Sequence, residues 1–331
     1  MVDRIRWGIA GTGGISSAFV EDLRLLPEAE VVAVGSRTRA AADAFAERYG
    51  VANRHVGYEE LAADPEVDAV YVGVPHTAHC EAALAAIAGG KAVLVEKPFA
   101  LNAAETERMI DAARRAGTAL MEAMWVRFQP HQVLVRELLA EGSIGDVRSV
   151  IADRGELLNT DPAHRVRNPD LGGGALLDLG IYPVSFASMV TGGQLPERVE
   201  AVGRMTTDTG VDAHASMIFV YPGGAQGVIS TSLDARSANS AAVNGTEGRI
   251  LLPQPWGRTS PVELITNDGR SVTTSLPHEG HGLRHQAAEL GRLLREGLTQ
   301  SPVIPLDETL AVMRTLDLVR ERIGLRYPGD A

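Results

Sequence analysis

The sequence predicts an α/β protein of two parts, and three observations carry that reading. A glycine cluster sits between a strand pattern and a helix pattern at the start, and a short apolar strand stops on Glu96-Lys97-Pro98. After about Asp146 the alternation of strands with helices gives way to strands in succession. The first part reads as a doubly wound parallel sheet over residues 1–123. The second reads as an α+β domain with a large, mostly antiparallel open sheet over residues 124–331. A chain of 331 residues is long enough for two cores.

Composition narrows the class. Hydrophobic residues at 45% and charged residues at 22% are ordinary for a globular protein. A net charge of −11 argues against nucleic acid or an anionic membrane surface as the main partner. Cys80 is the only cysteine, so no intrachain disulfide forms, and a reducing, cytoplasmic setting is expected. The first residues reach glycine too soon for a secretory signal, and no apolar run is expected to approach membrane-spanning length.

The first strand is read at Ile5 to Ala10, followed by Gly11-Thr12-Gly13-Gly14-Ile15-Ser16 and a helix through Leu26. This is close to the dinucleotide fingerprint G-x-G-x-x-G of the Rossmann fold, with Ser16 at the third glycine. Gly11 permits the turn, Gly13 lets backbone approach a pyrophosphate, and the helix N-terminus offers N–H groups to it. The next strand, Glu30 to Val34, ends in Ser36-Arg37-Thr38-Arg39 with no acid for a ribose 2′-hydroxyl. A hydroxyl and two guanidiniums suit a 2′-phosphate, which favours NADP over NAD. The plain alternative is a helix start capped by Ser36 or Thr38.

A helix from Ala40 to Arg48, a segment Tyr58 to Ala62 and a strand Ala69 to Val74 follow, the strand ending in Pro75-His76-Thr77-Ala78-His79. His76 or His79 is a candidate for the nicotinamide ribose, with a cap or packing role for His79 as the alternative. After a helix Glu81 to Ala88 comes the strand Ala92 to Val95, running into Glu96-Lys97-Pro98. In open α/β sheets ligands bind at the carboxyl edge, so Lys97 has the first claim on chemistry. Helix Ala103 to Ala116 and strand Thr118 to Glu122 complete the part.

In the second part Arg148 to Glu156 is strand-like, and Gly172-Gly173-Gly174 opens an apolar helix to Val190 that Pro183 bends or starts irregularly. Asp178 and Tyr182, four apart, share a helix face. Strands follow at Val199 to Thr206, Ala213 to Tyr221, Gln226 to Ala235, Ala241 to Leu252, Val262 to Thr266 and Ser271 to Ser275. Two helices close the chain, Leu283 to Glu296 and Asp307 to Ile323. Alternating Ala213, Ala215, Met217 and Phe219 give the sheet an apolar face, and the shortage of covering helices points to a homodimer through that sheet.

The set G11TGGIS, E96KP, M121EAMWVRF and G172GGALLDLGIY, from Trp7 to about Tyr327, resembles the glucose–fructose oxidoreductase/inositol dehydrogenase (Gfo/Idh/MocA) family, and within it the dihydrodiol dehydrogenase branch. The resemblance implies a Rossmann domain, a second domain dimerising across an open sheet, and NADP-dependent oxidation of a cyclic diol or of D-xylose. It makes Lys97 the catalytic lysine and Tyr182 the proton-transferring residue, with Asp178 one turn away. Gly11, Gly13 and Glu96 fall at cofactor positions. Tyrosine at 182, where many relatives have histidine, selects this branch.

The chemistry is coherent apart from the resemblance. Oxidising an alcohol sends a hydride to nicotinamide and a proton to a base. Tyrosine, with an ordinary pKa of about 10, needs a cation such as Lys97 to serve. Asp178 orients Tyr182 or Lys97, or is a structural helix acid. Trp125, Arg127 and Trp256 are candidates for the substrate wall, with the core, the commoner fate of tryptophan, as the alternative for either indole. No metal spacing is present. Two rivals are a redox-neutral glycosidase that oxidises its sugar transiently, and a non-catalytic nucleotide sensor.

Overall fold

A computed structural model describes residues 4–328. Two compact units emerge, Met1–Trp125 with Glu279–Thr309, and Val126–His278 with Leu310–Ala331. The sequence reading has one crossing near residue 123; here the chain returns to the first unit over Glu279–Thr309 before leaving it again.

The first unit is built on six parallel strands: β1 (Ile5–Ala10), β2 (Ala29–Ser36), β3 (Asn53–Val56), β4 (Ala69–Val72), β5 (Ala92–Glu96) and β6 (Leu120–Ala123). Their order is β3-β2-β1-β4-β5-β6, the Rossmann order, with its switch point between β1 and β4. Helices α1 (Gly14–Leu23), α2 (Arg39–Tyr49), α3 (Tyr58–Ala62), α4 (His79–Ala88) and α5 (Ala103–Ala116) connect them. Local chemistry sets their ends. Thr38 Oγ1 accepts from Ala41 N and Gly50 closes α2 at φ 71°. Asn102 Oδ1 accepts from Glu105 N while Glu105 Oε2 accepts from Leu101 N, a reciprocal cap for α5. All five residues of β5 are buried, as expected of a strand covered on both faces.

The second unit opens with helix α6 (Pro130–Ala140), whose proline stands where no N–H is required. Its sheet has eight strands: β7 (Val147–Gly155), β8 (Arg198–Met205), β9 (Asp212–Val220), β10 (Gln226–Ser232), β11 (Ala241–Gly245), β12 (Gly248–Leu252), β13 (Val262–Thr266) and β14 (Ser271–Thr274). The order is β14-β13-β12-β11-β7-β10-β9-β8, antiparallel except for β7 beside β10. The single strand expected from Ala241 to Leu252 is the hairpin β11–β12.

The apolar helix begins as a π turn, Leu176–Gly180, and continues as α7 (Ile181–Val190). Pro183 has no N–H to give the preceding turn, which fits this irregular start. The segment Pro169–Val190 does have membrane-span length and hydropathy, but 94% of its most apolar window is buried inside the fold. It packs on β7, β9 and β10. Beneath it lie Ala213, Ala215, Met217 and Phe219, all at most 1% exposed. The apolar face expected to be open is therefore the covered one. The open face carries Ile151, Val228 and Ile218 instead, 42–50% exposed and adjacent across β7, β10 and β9.

The returning segment carries α8 (Arg284–Glu296) against α1 and β5. Asp22 of α1, itself buried, accepts from the N–H groups of His281 at 2.7 Å and Leu283 at 2.6 Å. The last helix, α9 (Leu306–Ile323), starts in the first unit and ends in the second.

Candidate active site

At the β1–α1 turn Gly11 has φ +98°, and a Cβ there would lie 2.6 Å from Gly73 O. Only glycine fits such a position. Gly13 and Gly14 differ: a Cβ on either would meet nothing within 4 Å. Backbone without side chains thus faces open space at the start of α1, where among the described residues no side chain caps the first turn. Those N–H groups suit a pyrophosphate. Thr12 is half-buried, and Ile15 exposes its side chain beside them. Ser16 is fully buried with its Oγ 3.4 Å from Gly73 O, so the small residue at the third position serves helix-to-strand packing.

At the end of β2, Ser36 is buried and Arg37 is exposed. Thr38 is the α2 cap. Arg39 donates to Arg54 O on β3 at 2.8 Å, which ties its guanidinium down. Arg37 is thus the guanidinium left standing at the carboxyl end of β2.

Past β4, Pro75 leads into a short helical turn with His76 buried and its ring 5.7 Å from that of His79. His79 has no exposed surface; Nδ1 lies 2.8 Å from Pro98 O and Nε2 2.9 Å from Val74 O. Burial pushes its pKa down to about 4, outweighing the two carbonyls that favour the protonated ring. His79 ties the β4 edge to the β5 edge, the packing alternative. Glu96 is likewise buried, and Tyr71 Oη donates to its Oε1 at 2.6 Å while Lys97 N donates to its Oε2 at 3.2 Å. Tyr71 stacks on Phe19 of α1 at 3.8 Å between centroids. Glu96 thereby fixes the backbone on which Lys97, half-buried, is presented. Trp125 is buried in the turn Trp125–Phe128 after β6.

In the second unit the triple glycine has a reason at each position. Gly172 takes φ 71° to end the turn Pro169–Leu171. A Cβ on Gly173 would stand 2.8 Å from Arg165 O, and one on Gly174, at φ +120°, would fall on Asp212 Oδ1. Asp212 is wholly buried at the start of β9, and its Oδ2 accepts from Leu176 N at 2.7 Å. It holds the first turn of the segment that carries Asp178 and Tyr182. Tyr327 Oη, donating to Gly173 O at 2.6 Å, braces the same turn. Asp178 is buried, with Arg165 Nη1 3.0 Å from its Oδ1. Tyr182, also buried, has the Arg154 guanidinium 5.4 Å from its ring centroid.

Arg127 and Trp256, expected at a substrate wall, are both buried. Arg127, 1% exposed, donates to Ser185 Oγ at 3.0 Å and Ser185 O at 2.7 Å, so it pins α7. Trp256, 0% exposed, donates from Nε1 to Asp153 O, packs on Phe186, and its carbonyl lies 2.8 Å from His131 Nε2. Neither has a face for a substrate in this structure. Arg154, Arg165 and Asp212 were not singled out by sequence reasoning; the signal for Arg154 was a charged residue on the core-facing parity of β7. Among the described residues no three His, Cys, Asp or Glu side chains gather as a metal site requires.

Comparison with known proteins gives this arrangement its context. The family profile "Oxidoreductase family, NAD-binding Rossmann fold" matches residues 5–124, and "GFO/IDH/MocA C-terminal domain" matches residues 133–251. The chain belongs to the GFO/IDH/MocA oxidoreductase family. It is 42% identical to trans-1,2-dihydrobenzene-1,2-diol dehydrogenase of Bos taurus over 98% of this chain and 99% of that one. Identity to the Homo sapiens enzyme of the same name is 40%, with the same coverage. Among solved structures, aldose-aldose oxidoreductase from Caulobacter crescentus, complexed with glycerol, superposes with TM-score 0.87 at 25% identity, covering 96% of this chain and 97% of that one. A 3-ketoreductase from Actinomadura kijaniata, in complex with NADP and TDP-benzene, superposes with TM-score 0.84 at 27% identity, covering 97% and 98%. The protein is an oxidoreductase whose first unit is a nicotinamide-nucleotide-binding Rossmann domain.

Proposed function

We propose that the protein is an NADP-dependent dehydrogenase acting on a secondary alcohol or hemiacetal of a sugar or cyclic vicinal diol. The observation that carries the reading is Lys97, half-buried at the carboxyl end of β5 on a backbone fixed by Glu96. The names of the relatives above, a diol dehydrogenase and an aldose oxidoreductase, support the substrate class. Residues Gly11, Thr12, Gly13, Gly14 and Ile15 receive the pyrophosphate, and Arg37, with Ser36, receives the 2′-phosphate. Pro75 and His76 border the nicotinamide ribose. Bound NADP supplies the hydride acceptor.

Tyr182 takes the hydroxyl proton as the carbon gives up its hydride, and Lys97 supplies positive charge beside the oxygen that is losing it. Asp178, held by Arg165, sets the approach to Tyr182. The open sheet face, with Ile151, Val228 and Ile218 in adjoining strands, supports a homodimer. The test is a panel of aldoses, cyclic diols and simple alcohols assayed by NADPH absorbance with NADP and with NAD. Turnover of at least one aldose or diol, with NADP preferred, is expected; none on any member defeats the reading.

A further inference from the structure

Arg154 stands at the carboxyl end of β7, paired with Thr231 of β10, and its side chain is 11% exposed. Its guanidinium is fixed on three sides. One side is the Tyr182 ring, with 5.4 Å from Cζ to the centroid. Another is the backbone at Gly257, where an added Cβ would lie 2.6 Å from Nη1. The third is Glu156, whose Oε1 is 3.2 Å from Nη2. Nε is buried and has no hydrogen-bond partner among the described residues.

Such a side chain is a poor device for stability. An arginine this buried, with one ion pair and an unmet N–H, costs more than an apolar chain of similar size would. What it offers is a planar set of donors held rigid beside the phenol. Glu156 adds an acceptor, and its side chain is 40% exposed. A donor and an acceptor side by side are what a hydroxyl requires, since it accepts one hydrogen bond and donates another. In a vicinal diol the second hydroxyl is on the carbon next to the reacting one, so it comes within reach of a group packed on the proton-accepting residue.

We infer that the Arg154–Glu156 pair reads the hydroxyl neighbouring the one that is oxidised, and so selects vicinal polyols over simple alcohols. This rests on the reading of Tyr182 as the residue that takes the proton. Arg154→Met keeps the packing length and removes the donors; Arg154→Lys keeps the charge and loses the fork.

The experiment compares trans-1,2-cyclohexanediol, an aldopentose and cyclohexanol on wild type and both variants of the full chain. The kcat/KM for the diol and the sugar is expected to fall about 10- to 100-fold in Arg154→Met, the worth of one hydrogen bond to a charged group. The value for cyclohexanol is expected to change less than about threefold, and Arg154→Lys to fall between. Calorimetric titration of the same three compounds into NADPH-loaded enzyme, which does not oxidise them, reads binding without turnover. There the variants lose affinity for the diol and sugar alone, even if the oxidation reading fails. Equal losses on all three compounds, or unchanged diol binding in Arg154→Met, overturn the inference.

Discussion

Asp212 anchors the first turn of the segment that carries Asp178 and Tyr182. It is wholly buried, and burial pushes its carboxyl up to about 7, against the N–H groups of Leu176, Asp212 itself and Ala175 and the charge of Arg320. In the unfolded chain an aspartate titrates at about 3.9. A carboxyl raised on folding binds its proton better in the folded state, so its contribution is full below the unfolded value. It is lost as pH rises from about 4 to about 7. Three decades at about 1.4 kcal/mol each make this loss about 4 kcal/mol.

Asp212→Asn imitates the protonated acid at every pH and still offers an oxygen to Leu176 N. Its amide replaces Oδ1, which has no hydrogen-bond partner among the described residues, and that costs about 1–2 kcal/mol. The variant should therefore be about 2–3 kcal/mol more stable than wild type at pH 8 and about equal to it at pH 5. Urea unfolding at the two pH values measures this. A variant less stable than wild type at pH 8 would show that the ionised carboxylate, matched by Arg320, is what the fold uses.

Three more outcomes are expected. Gly11→Ala, with its Cβ 2.6 Å from Gly73 O at a φ of +98°, should lower unfolding stability by about 2–4 kcal/mol, whereas Gly13→Ala, with nothing within 4 Å, should leave stability within about 0.5 kcal/mol and weaken NADPH binding in a fluorescence titration. Arg37→Ala should raise the KM for NADP far more than that for NAD; equal rises would remove the 2′-phosphate role. Light scattering should find a dimer that Ile218→Lys, on the exposed face of β9, converts to monomer; a wild-type monomer at nanomolar concentration would remove the sheet interface.

The first unit was largely legible because its strands are apolar runs and its turns carry glycine. Strand β3 was not, because Asn-Arg-His-Val at a sheet edge is half-buried and too polar to stand out. Helix α6 hid behind Pro130, which reads as a breaker but starts the helix. The β11–β12 hairpin looked like one strand because its apolar alternation resumes after Gly245. The return of residues 279–309 leaves no local mark: it depends on Asp22 meeting backbone N–H groups some 260 positions away. At the candidate site, the position of Lys97 at the carboxyl end of β5 was legible. Arginine and tryptophan were not, since Arg127 and Trp256 satisfy their polar atoms inside the core and composition rules place arginine outside. Alternation along β9 gave the two faces correctly, but which face is covered depends on where the π turn and α7 pack.

On the proposed function, Lys97 and Tyr182 act together on a single hydroxyl. The direct measurement is kcat for Lys97→Met, Tyr182→Phe and the double variant, with NADPH affinity checked in each. Severe loss in either single variant, unchanged NADPH binding, and a double variant no worse than the poorer single one are expected. Near-normal turnover in Lys97→Met, or losses that multiply in the double variant, would contradict that joint action.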